Sequence, residues 1–179
     1  MSVLRDIVIT LLLALCIFFA VQFTLQSCQV DGPSMKPNFQ DGQRLLVIKA
    51  AYWFGDPKRG DVIIFPSKNN PDENLIKRVI ALPGEAVEIE DGTVYITDSN
   101  GDTFPLDEKN YITEVPDSDY PSLEVPEGEY FVMGDNRNHS NDSRTWGTIS
   151  GESIIGKVWL CYWPFSDWHL IPSYSYAQE

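Results

Sequence analysis

The sequence predicts a mainly β protein that begins with one membrane-spanning helix. An uncharged apolar run lies close to the N-terminus, and short segments rich in β-branched and aromatic residues recur after residue 30. The length of 179 residues suits one globular domain and a short additional segment. Such a chain can bury a core without metal ions or disulfides.

The apolar run extends from Ile7 to Leu25 without a charged residue. At about 1.5 Å per residue, these nineteen residues would form a helix of about 28 Å, close to the hydrocarbon thickness of a bilayer. A cleaved signal peptide is the alternative, but the run is longer than a usual signal-peptide core and no Ala-x-Ala follows it. We therefore expect an uncleaved anchor.

Charges at the two ends of the run predict its orientation. Arg5 precedes the run, and the first basic residue after it is Lys36, so the positive-inside rule places the N-terminus in the cytoplasm. We divide the chain into residues 1–29, a cytoplasmic tip with the transmembrane anchor, and residues 30–179, an extracytoplasmic β domain.

Strands account for most of the predicted domain, each bounded by Gly, Pro, Asn or Asp. The predicted strands are Arg44–Lys49, Asp61–Phe65, Leu75–Leu82, Ala86–Glu90, Thr93–Thr97, Tyr130–Met133 and Ile154–Tyr162. Asp91-Gly92 predicts a tight hairpin between the fourth and fifth of these strands. The polar, acidic stretch 100–129 is predicted to be an exposed excursion from the sheet.

Charge and cysteine content argue against several partners and cofactors. A net charge of −13 disfavours nucleic acid, whose phosphates require a basic surface. Three scattered cysteines and two histidines, without a Cys-x-x-Cys pair, predict neither a disulfide framework nor a zinc site. We expect no metal and no cofactor.

Ser34 is the candidate nucleophile because it lies on a turn between Pro33 and Pro37, two residues whose φ angles are fixed. A rigid turn suits a nucleophile, since its backbone N–H can point at a developing oxyanion. An ordinary Gly-Pro-Ser turn would give the same pattern. A serine nucleophile also needs a base.

Two kinds of base are compatible with the sequence. His139 lies near Asp135 and Asp142, which permits a Ser-His-Asp triad, although its neighbours are typical of a turn. Lys77 lies on a predicted strand, where alternation places it on the same face as Val79 and toward an apolar region. Burial would lower the pKa of this lysine and suit it to general base catalysis, whereas a solvated strand lysine would have no such role.

Four segments, taken together, resemble the characteristic boxes of type I signal peptidases (leader peptidases), in the order of that family. They are Gly32–Pro37, Arg59–Phe65, Lys77–Glu85 and Gly134–Arg144. The apolar run also lies where the family has its membrane anchor. The resemblance implies a signal-peptidase-like antiparallel β catalytic domain with one N-terminal transmembrane helix, and a serine endopeptidase that uses a Ser/Lys dyad.

The resemblance also implies a role for each residue of the site. Ser34 matches the nucleophile, Lys77 the general base, and Ser140 the hydroxyl that orients the lysine. Ion pairs that brace the site are expected between matched positions, Asp135 with Arg78 and Asp142 with Arg144. Gly32 departs from members that carry a serine there, whose hydroxyl is the second oxyanion donor, so this donor is unassigned.

The substrates implied by the resemblance are exported preproteins with small residues, typically Ala, at the first and third positions before the cut. An extended substrate would add as a strand along an exposed sheet edge. The lipid bilayer is the other expected partner, and Tyr52, Trp53 and Phe54 are candidates either for contact with it or for core packing. We expect a single-pass monomer in the cell membrane.

Two other functions are compatible with parts of the sequence. A self-cleaving repressor can use the same dyad, but such proteins are soluble and bind DNA, unlike an acidic chain with an apolar anchor run. A non-catalytic, membrane-tethered β domain would explain the anchor and the strands. It would not explain why Ser34, Lys77 and Ser140 all match box positions.

Overall fold

The computed structural model describes residues 2–68, 70–172, 174 and 176. A long helix, α1, comes first, and short strands dominate the rest of the chain. The strands are β1 Leu25–Gln29, β2 Arg44–Ile48, β3 Val62–Pro66, β4 Asn74–Ala81, β5 Ala86–Glu90, β6 Thr93–Thr97, β7 Thr103–Pro105, β8 Tyr120–Glu124, β9 Glu129–Met133, β10 Ile149–Ser150, β11 Gly156–Trp163 and β12 His169–Leu170. The helices are α1 Ser2–Thr24 and α2 Ser143–Trp146, with 3-10 turns at Lys49–Tyr52, Arg137–His139, Gly151–Ser153 and Phe165–Asp167.

Helix α1 has the length and composition needed to cross a membrane over Val3–Thr24. Its side chains are exposed from Val3 to Phe23, as expected for a helix that packs against lipid. The chain passes from Thr24 directly into β1, which pairs antiparallel with β2. The end of the predicted apolar run, Leu25, therefore belongs to the first sheet.

Two antiparallel sheets form the domain. The first has the order β1-β2-β11-β3-β4-β9-β10, with β12 added to β11, and the second has the order β7-β6-β5-β8. Alternate residues of β9 join the sheets, because Phe131 and Met133 pack in the core of the second sheet while Val132 faces the other way. The mainly β, antiparallel architecture predicted from sequence is confirmed.

Strand β4 is central to the first sheet and is buried from Ile76 to Ala81. It pairs with β3 on one side and with β9 on the other, so its backbone is held on both edges. Val79 packs in a cluster with Ile63 and Phe65 of β3, and Lys77 lies directly opposite Ile63. The predicted alternation, with Lys77 on the face of Val79, is confirmed.

All seven predicted strands are present, with bounds shifted by no more than two residues. The predicted hairpin is also present, since Glu90 pairs with Thr93 and both Asp91 and Gly92 have positive φ angles.

The prediction for residues 100–129 was wrong. This stretch contributes β7 and β8 to the second sheet and buries Leu106, Tyr111 and Val125. Its acidic character misled the prediction, because one of its carboxylates, Glu108, is buried and forms an ion pair with Arg137. From the sequence alone, a buried carboxylate that is neutralised by an ion pair cannot be distinguished from a carboxylate in water.

Candidate active site

Ser34 lies on a turn that comes after β1 and is anchored on both sides. The Gly32 N–H donates to Asp41 Oδ1 at 2.8 Å, and the Lys36 N–H donates to the Pro33 carbonyl at 3.1 Å. Met35, the residue after the serine, is only 1% exposed and is packed in the core behind β1 and β2. The turn is therefore held in place by the core, and it presents the Ser34 side chain at the surface of the domain.

Lys77 reaches Ser34 from strand β4. Its Nζ lies 2.9 Å from Ser34 Oγ and 3.0 Å from the Ile76 carbonyl, to both of which the ammonium donates. In the neutral amine the same short contact lets the serine hydroxyl donate to Nζ, which is the geometry for proton abstraction. Sequence reasoning thus selected two residues, 43 positions apart, that the fold brings into hydrogen-bond contact.

Burial tunes the lysine. The Lys77 residue is 3% exposed, and removal of its ammonium from water lowers its pKa from 10.5 to about 8. Asp142, Asp135 and Glu73 act in the opposite direction, since nearby negative charge favours the ammonium. Desolvation is the larger effect, so the amine is a usable base near neutral pH.

The backbone N–H of Ser34 has no hydrogen-bond acceptor in the described part of the chain. It is available to a developing oxyanion beside Ser34 Oγ. The Gly32 N–H is not available, because it is bonded to Asp41. A second oxyanion donor from position 32 is therefore absent here, in agreement with the departure noted in the sequence.

Arg78, the neighbour of Lys77, forms the first of the two expected ion pairs. Its Nε and Nη2 each donate to Asp135 at 2.7 Å, while Nη1 donates to the Gly60 carbonyl at 2.8 Å. Asp135 also accepts from Asn38 Nδ2 at 2.7 Å. The guanidinium lies 4.3 Å from the ring centre of Tyr111. The predicted pair is confirmed, and it ties β4 to the loop after β9.

Asp142 and Arg144 form the second expected pair. Arg144 donates to the two Asp142 oxygens at 2.8 Å each, and Asp142 Oδ2 also accepts from the Gly134 N–H at 3.0 Å. Arg144 reaches on to the Arg137 carbonyl at 2.6 Å. This predicted pair is also confirmed, and it closes the loop 134–144 on itself.

Ser140 does not make the hydrogen bond to Lys77 that the resemblance implied. Its Oγ is buried without a hydrogen-bond partner in the described structure, while Lys77 Nζ is directed to Ser34 and to the Ile76 carbonyl. The side chain instead packs against Gly134, where an added Cβ would overlap both Ser140 and the Ser34 carbonyl. In this state the Ile76 carbonyl, rather than Ser140, orients the amine.

Sequence reasoning missed two residues that position the serine. The absence of a side chain at Gly134 lets the loop approach the turn closely. Asn136 then holds the turn, since its N–H donates to the Ser34 carbonyl and its Nδ2 to the Pro33 carbonyl, both at 3.1 Å. Both residues lie in the Gly-Asp-Asn-Arg segment, but neither spacing nor periodicity distinguishes them from ordinary turn residues.

The alternative base, His139, is exposed on the turn Arg137–His139. It has no hydrogen bond to Ser34 among the contacts of the described residues. The Ser-His-Asp alternative therefore has no support in the geometry. Within those same residues no group of His, Cys, Asp and Glu is arranged to hold a metal ion.

A cavity of about 300 Å³ opens beside the dyad. Ser34 and Lys77 border it, and its other walls come from the end of β3, the segment between β3 and β4, the start of β4 and the region around α2. The remaining lining residues are Phe65, Ser67, Lys68, Glu73, Leu75, Asn141 and Trp146.

Exposed aromatic residues lie near the end of α1. The turn Lys49–Tyr52 is tied to the helix by the hydrogen bond from Lys49 Nζ to the Gln22 carbonyl, at 3.1 Å. Immediately after this turn, Trp53 is 57% exposed and Phe54 is 98% exposed. Tyr52 differs from them, because its hydroxyl donates to the buried Asp61 at 2.9 Å.

A family model and curated relatives match most of the chain. The family model described as "Signal peptidase, peptidase S26" matches residues 3–163. A probable signal peptidase I-1 of Synechocystis sp. is 39% identical over 96% of this chain and 86% of its own length. Signal peptidase IB of Staphylococcus aureus is 35% identical over 92% of each chain. A crystal structure of a signal peptidase I from Enterococcus faecalis is 39% identical, covers 57% of this chain and 96% of its own, and gives a TM-score of 0.47.

Proposed function

The chain belongs to the signal peptidase family (peptidase S26), as a serine endopeptidase that removes signal peptides, and we propose that Ser34 is its nucleophile and Lys77 its general base. The observation that carries this proposal is the 2.9 Å contact between Lys77 Nζ and Ser34 Oγ. The contact joins a serine on an anchored turn to a buried amine that has lost much of its affinity for a proton.

The acylation step follows from this geometry. Neutral Lys77 takes the hydroxyl proton as Ser34 Oγ attacks the scissile carbonyl carbon, and the carbonyl oxygen becomes an oxyanion beside the Ser34 N–H. The C–N bond then breaks, and the Lys77 ammonium returns its proton to the leaving amine. The products of this step are a free mature N-terminus and a signal peptide esterified to Ser34.

Deacylation uses the same base. Lys77 deprotonates a water molecule, whose oxygen attacks the ester carbonyl, and the ammonium then protonates Ser34 Oγ as the ester bond breaks. The signal peptide leaves as a carboxylic acid, which ionises in water. The ion pair of Arg78 with Asp135 holds β4 against the loop 134–144, and the ion pair of Arg144 with Asp142 holds that loop closed during both steps.

We also propose the membrane arrangement. Residues 1–29 form the cytoplasmic tip and the anchor, and residues 30–179 form the extracytoplasmic domain, although residues 1, 69, 173, 175 and 177–179 lie outside the described residues. Trp53 and Phe54, exposed beside the end of α1, are suited to the interface between lipid and water. The domain acts as a monomer on preproteins that present an extended segment to the cleft.

The test is cleavage of a precursor with an Ala-x-Ala signal peptide by the detergent-solubilised full chain. The parent protein is expected to cut after the second Ala, and Ser34→Ala and Lys77→Ala are expected to abolish the cut. Exposed residues away from the site offer matched controls, Ser118→Ala and Lys109→Ala, which should retain activity. Cleavage that survives Ser34→Ala would remove the dyad from consideration.

The orientation is tested separately. The variant Asp102→Cys, made in a background without the native cysteines, should react with a membrane-impermeant maleimide on intact cells. Protection until the cells are opened would place the domain in the cytoplasm.

A further inference from the structure

We propose that the cavity beside the dyad is a subsite for a bulky apolar side chain, carried by one of the first two residues after the cut. The inference rests on the function proposed above, because it assigns a further part of the same substrate to the same cleft. Its support comes from the size of the cavity, the nature of its walls and its position relative to Lys77.

The cavity is too large for the small residues expected before the cut. Its volume of about 300 Å³ is many times the roughly 10–15 Å³ that holds a single water molecule. An alanine methyl group would fill only a small part of it. A space of this size beside a dyad accommodates a whole aromatic or long aliphatic side chain.

The walls of the cavity are mixed, with an apolar part beside a polar one. Leu75 and Trp146 supply the apolar part, with Phe65 behind them, and Ser67, Lys68, Glu73 and Asn141 supply the polar part. The Trp146 and Phe65 rings pack edge to face, with 6.0 Å between their centres. An apolar side chain on these walls would be removed from water, which is the main source of binding energy in such a site.

The walls are held in place by Lys68. Its Nζ donates to the Trp146 carbonyl at 3.1 Å and to the Thr148 carbonyl at 2.8 Å. The same ammonium lies 5.5 Å from the centre of the Trp146 ring. These contacts join the segment before β4 to the segment after α2, so the cavity is formed before any substrate arrives.

The position of Lys77 indicates which part of the substrate reaches the cavity. As general acid, Lys77 must come within hydrogen-bond reach of the leaving amine, and that amine belongs to the first residue after the cut. Ser34 and Lys77 both border the cavity, and because Lys77 must reach the leaving amine, we assign the space on its side to the first two residues of the mature protein.

The experiment compares precursors that all have Ala at the first and third positions before the cut. One set places Ala, Leu or Phe at the first position after the cut, a second set does so at the second position, and a third varies the second position before it. The readout is the ratio of kcat/KM between the Phe or Leu substrate and its Ala counterpart. We expect a ratio of at least about tenfold in the first or second set.

Variants of the wall then locate the effect. Trp146→Ala should bring the ratio close to one, and Lys68→Met should lower it less, since Trp146 loses only its tether. Trp146→Phe keeps an aromatic wall and should retain most of the preference, which guards against a loss of folding in the alanine variant. Trp168→Ala is the matched control, because that tryptophan is exposed elsewhere and the ratio should be kept.

A ratio near one in both sets after the cut, a preference confined to the position before it, or a preference that survives Trp146→Ala would overturn the subsite. Failure of the proposed function looks different. In that case the parent protein would cut none of the precursors, or Ser34→Ala would still cut them.

Discussion

Two neighbouring cations, Lys77 and Arg78, lie on opposite faces of strand β4 and have different roles. Lys77 and Arg78 are both almost fully buried, at 3% and 1% exposure. Arg78 is bonded to both oxygens of Asp135 and lies against the Tyr111 ring, and negative charge around it raises its pKa despite burial. Lys77 has a hydroxyl and a carbonyl as its acceptors, and burial lowers its pKa to about 8.

The comparison shows that burial alone does not decide what a cation does. The carboxylate of Asp142 favours the Lys77 ammonium, yet both of its oxygens accept hydrogen bonds from Arg144. The lysine is therefore left with neutral acceptors. On one face of β4, Arg78 is paired with a carboxylate and stabilises the fold. On the other face, the Lys77 ammonium is destabilised by burial, which makes the neutral amine available for catalysis.

The largest expected effect is on activity, when the lysine at position 77 is replaced by arginine, the residue found at position 78. Lys77→Arg keeps the positive charge, but a guanidinium does not lose its proton in proteins and cannot act as a base. We expect kcat to fall by about 10⁴-fold or more, measured by precursor cleavage. Activity of this variant within about tenfold of the parent would show that Lys77 is not the base.

The next effect is on stability and concerns the other face. Asp135→Ala leaves the buried Arg78 without its carboxylate, which should lower the free energy of unfolding by about 3–5 kcal/mol in denaturant titrations. The double variant Arg78→Met with Asp135→Leu should recover much of that loss, since no charge remains buried. Equal destabilisation of the single and double variants would contradict this account.

A smaller stability effect of opposite sign is expected at Lys77. The pKa of Lys77 is about 8 in the folded protein, whereas the ordinary lysine pKa of 10.5 applies in the unfolded chain. The unfolded chain therefore binds more protons than the folded protein between these two pH values. Stability therefore rises with pH across this window, and below it the buried ammonium costs about 3 kcal/mol. Lys77→Met should stabilise the protein at pH 7 and reduce this slope. Lys109→Met, at an exposed site, is the control and should change neither.

The smallest effect concerns Glu73, an exposed carboxylate that borders the cleft and favours the Lys77 ammonium. The neutral amine is the active form, so kcat/KM should rise with pH through a midpoint near the Lys77 pKa of about 8. Glu73→Gln should lower that midpoint by roughly 0.5 or less, because water screens the charge. The neighbouring Asp72→Asn is the matched control, and an equal change in both variants would dismiss a specific role for Glu73.

Local patterns predicted much of the fold and the centre of the site. Strand periodicity located β2 to β6, β9 and β11, and alternation placed Lys77 on the face of Val79. The box resemblance paired Arg78 with Asp135 and Asp142 with Arg144. These features depend on residue types at fixed spacing, which a sequence displays.

Other features depend on contacts between distant segments and could not be predicted in the same way. β7 and β8 were missed because a buried Glu108 is neutralised by Arg137, 29 positions away. Gly134 matters only because the Ser34 turn approaches it. Within the described residues the Ser140 hydroxyl has no hydrogen-bond partner, which likewise depends on where the Lys77 side chain is directed.

The direct passage from α1 into β1 limits the distance between the end of the helix and the catalytic serine. Ser34 lies ten positions after Thr24, the last residue of the helix, and an extended chain covers at most about 3.3–3.6 Å per residue, which limits the serine to about 35 Å from the end of the helix. The pairing of β1 with β2 removes the slack that a flexible linker would give. With α1 in the bilayer, as proposed above, this distance limits the height of the cut above the membrane, and a precursor would have to span that height between its own membrane segment and its cleavage site.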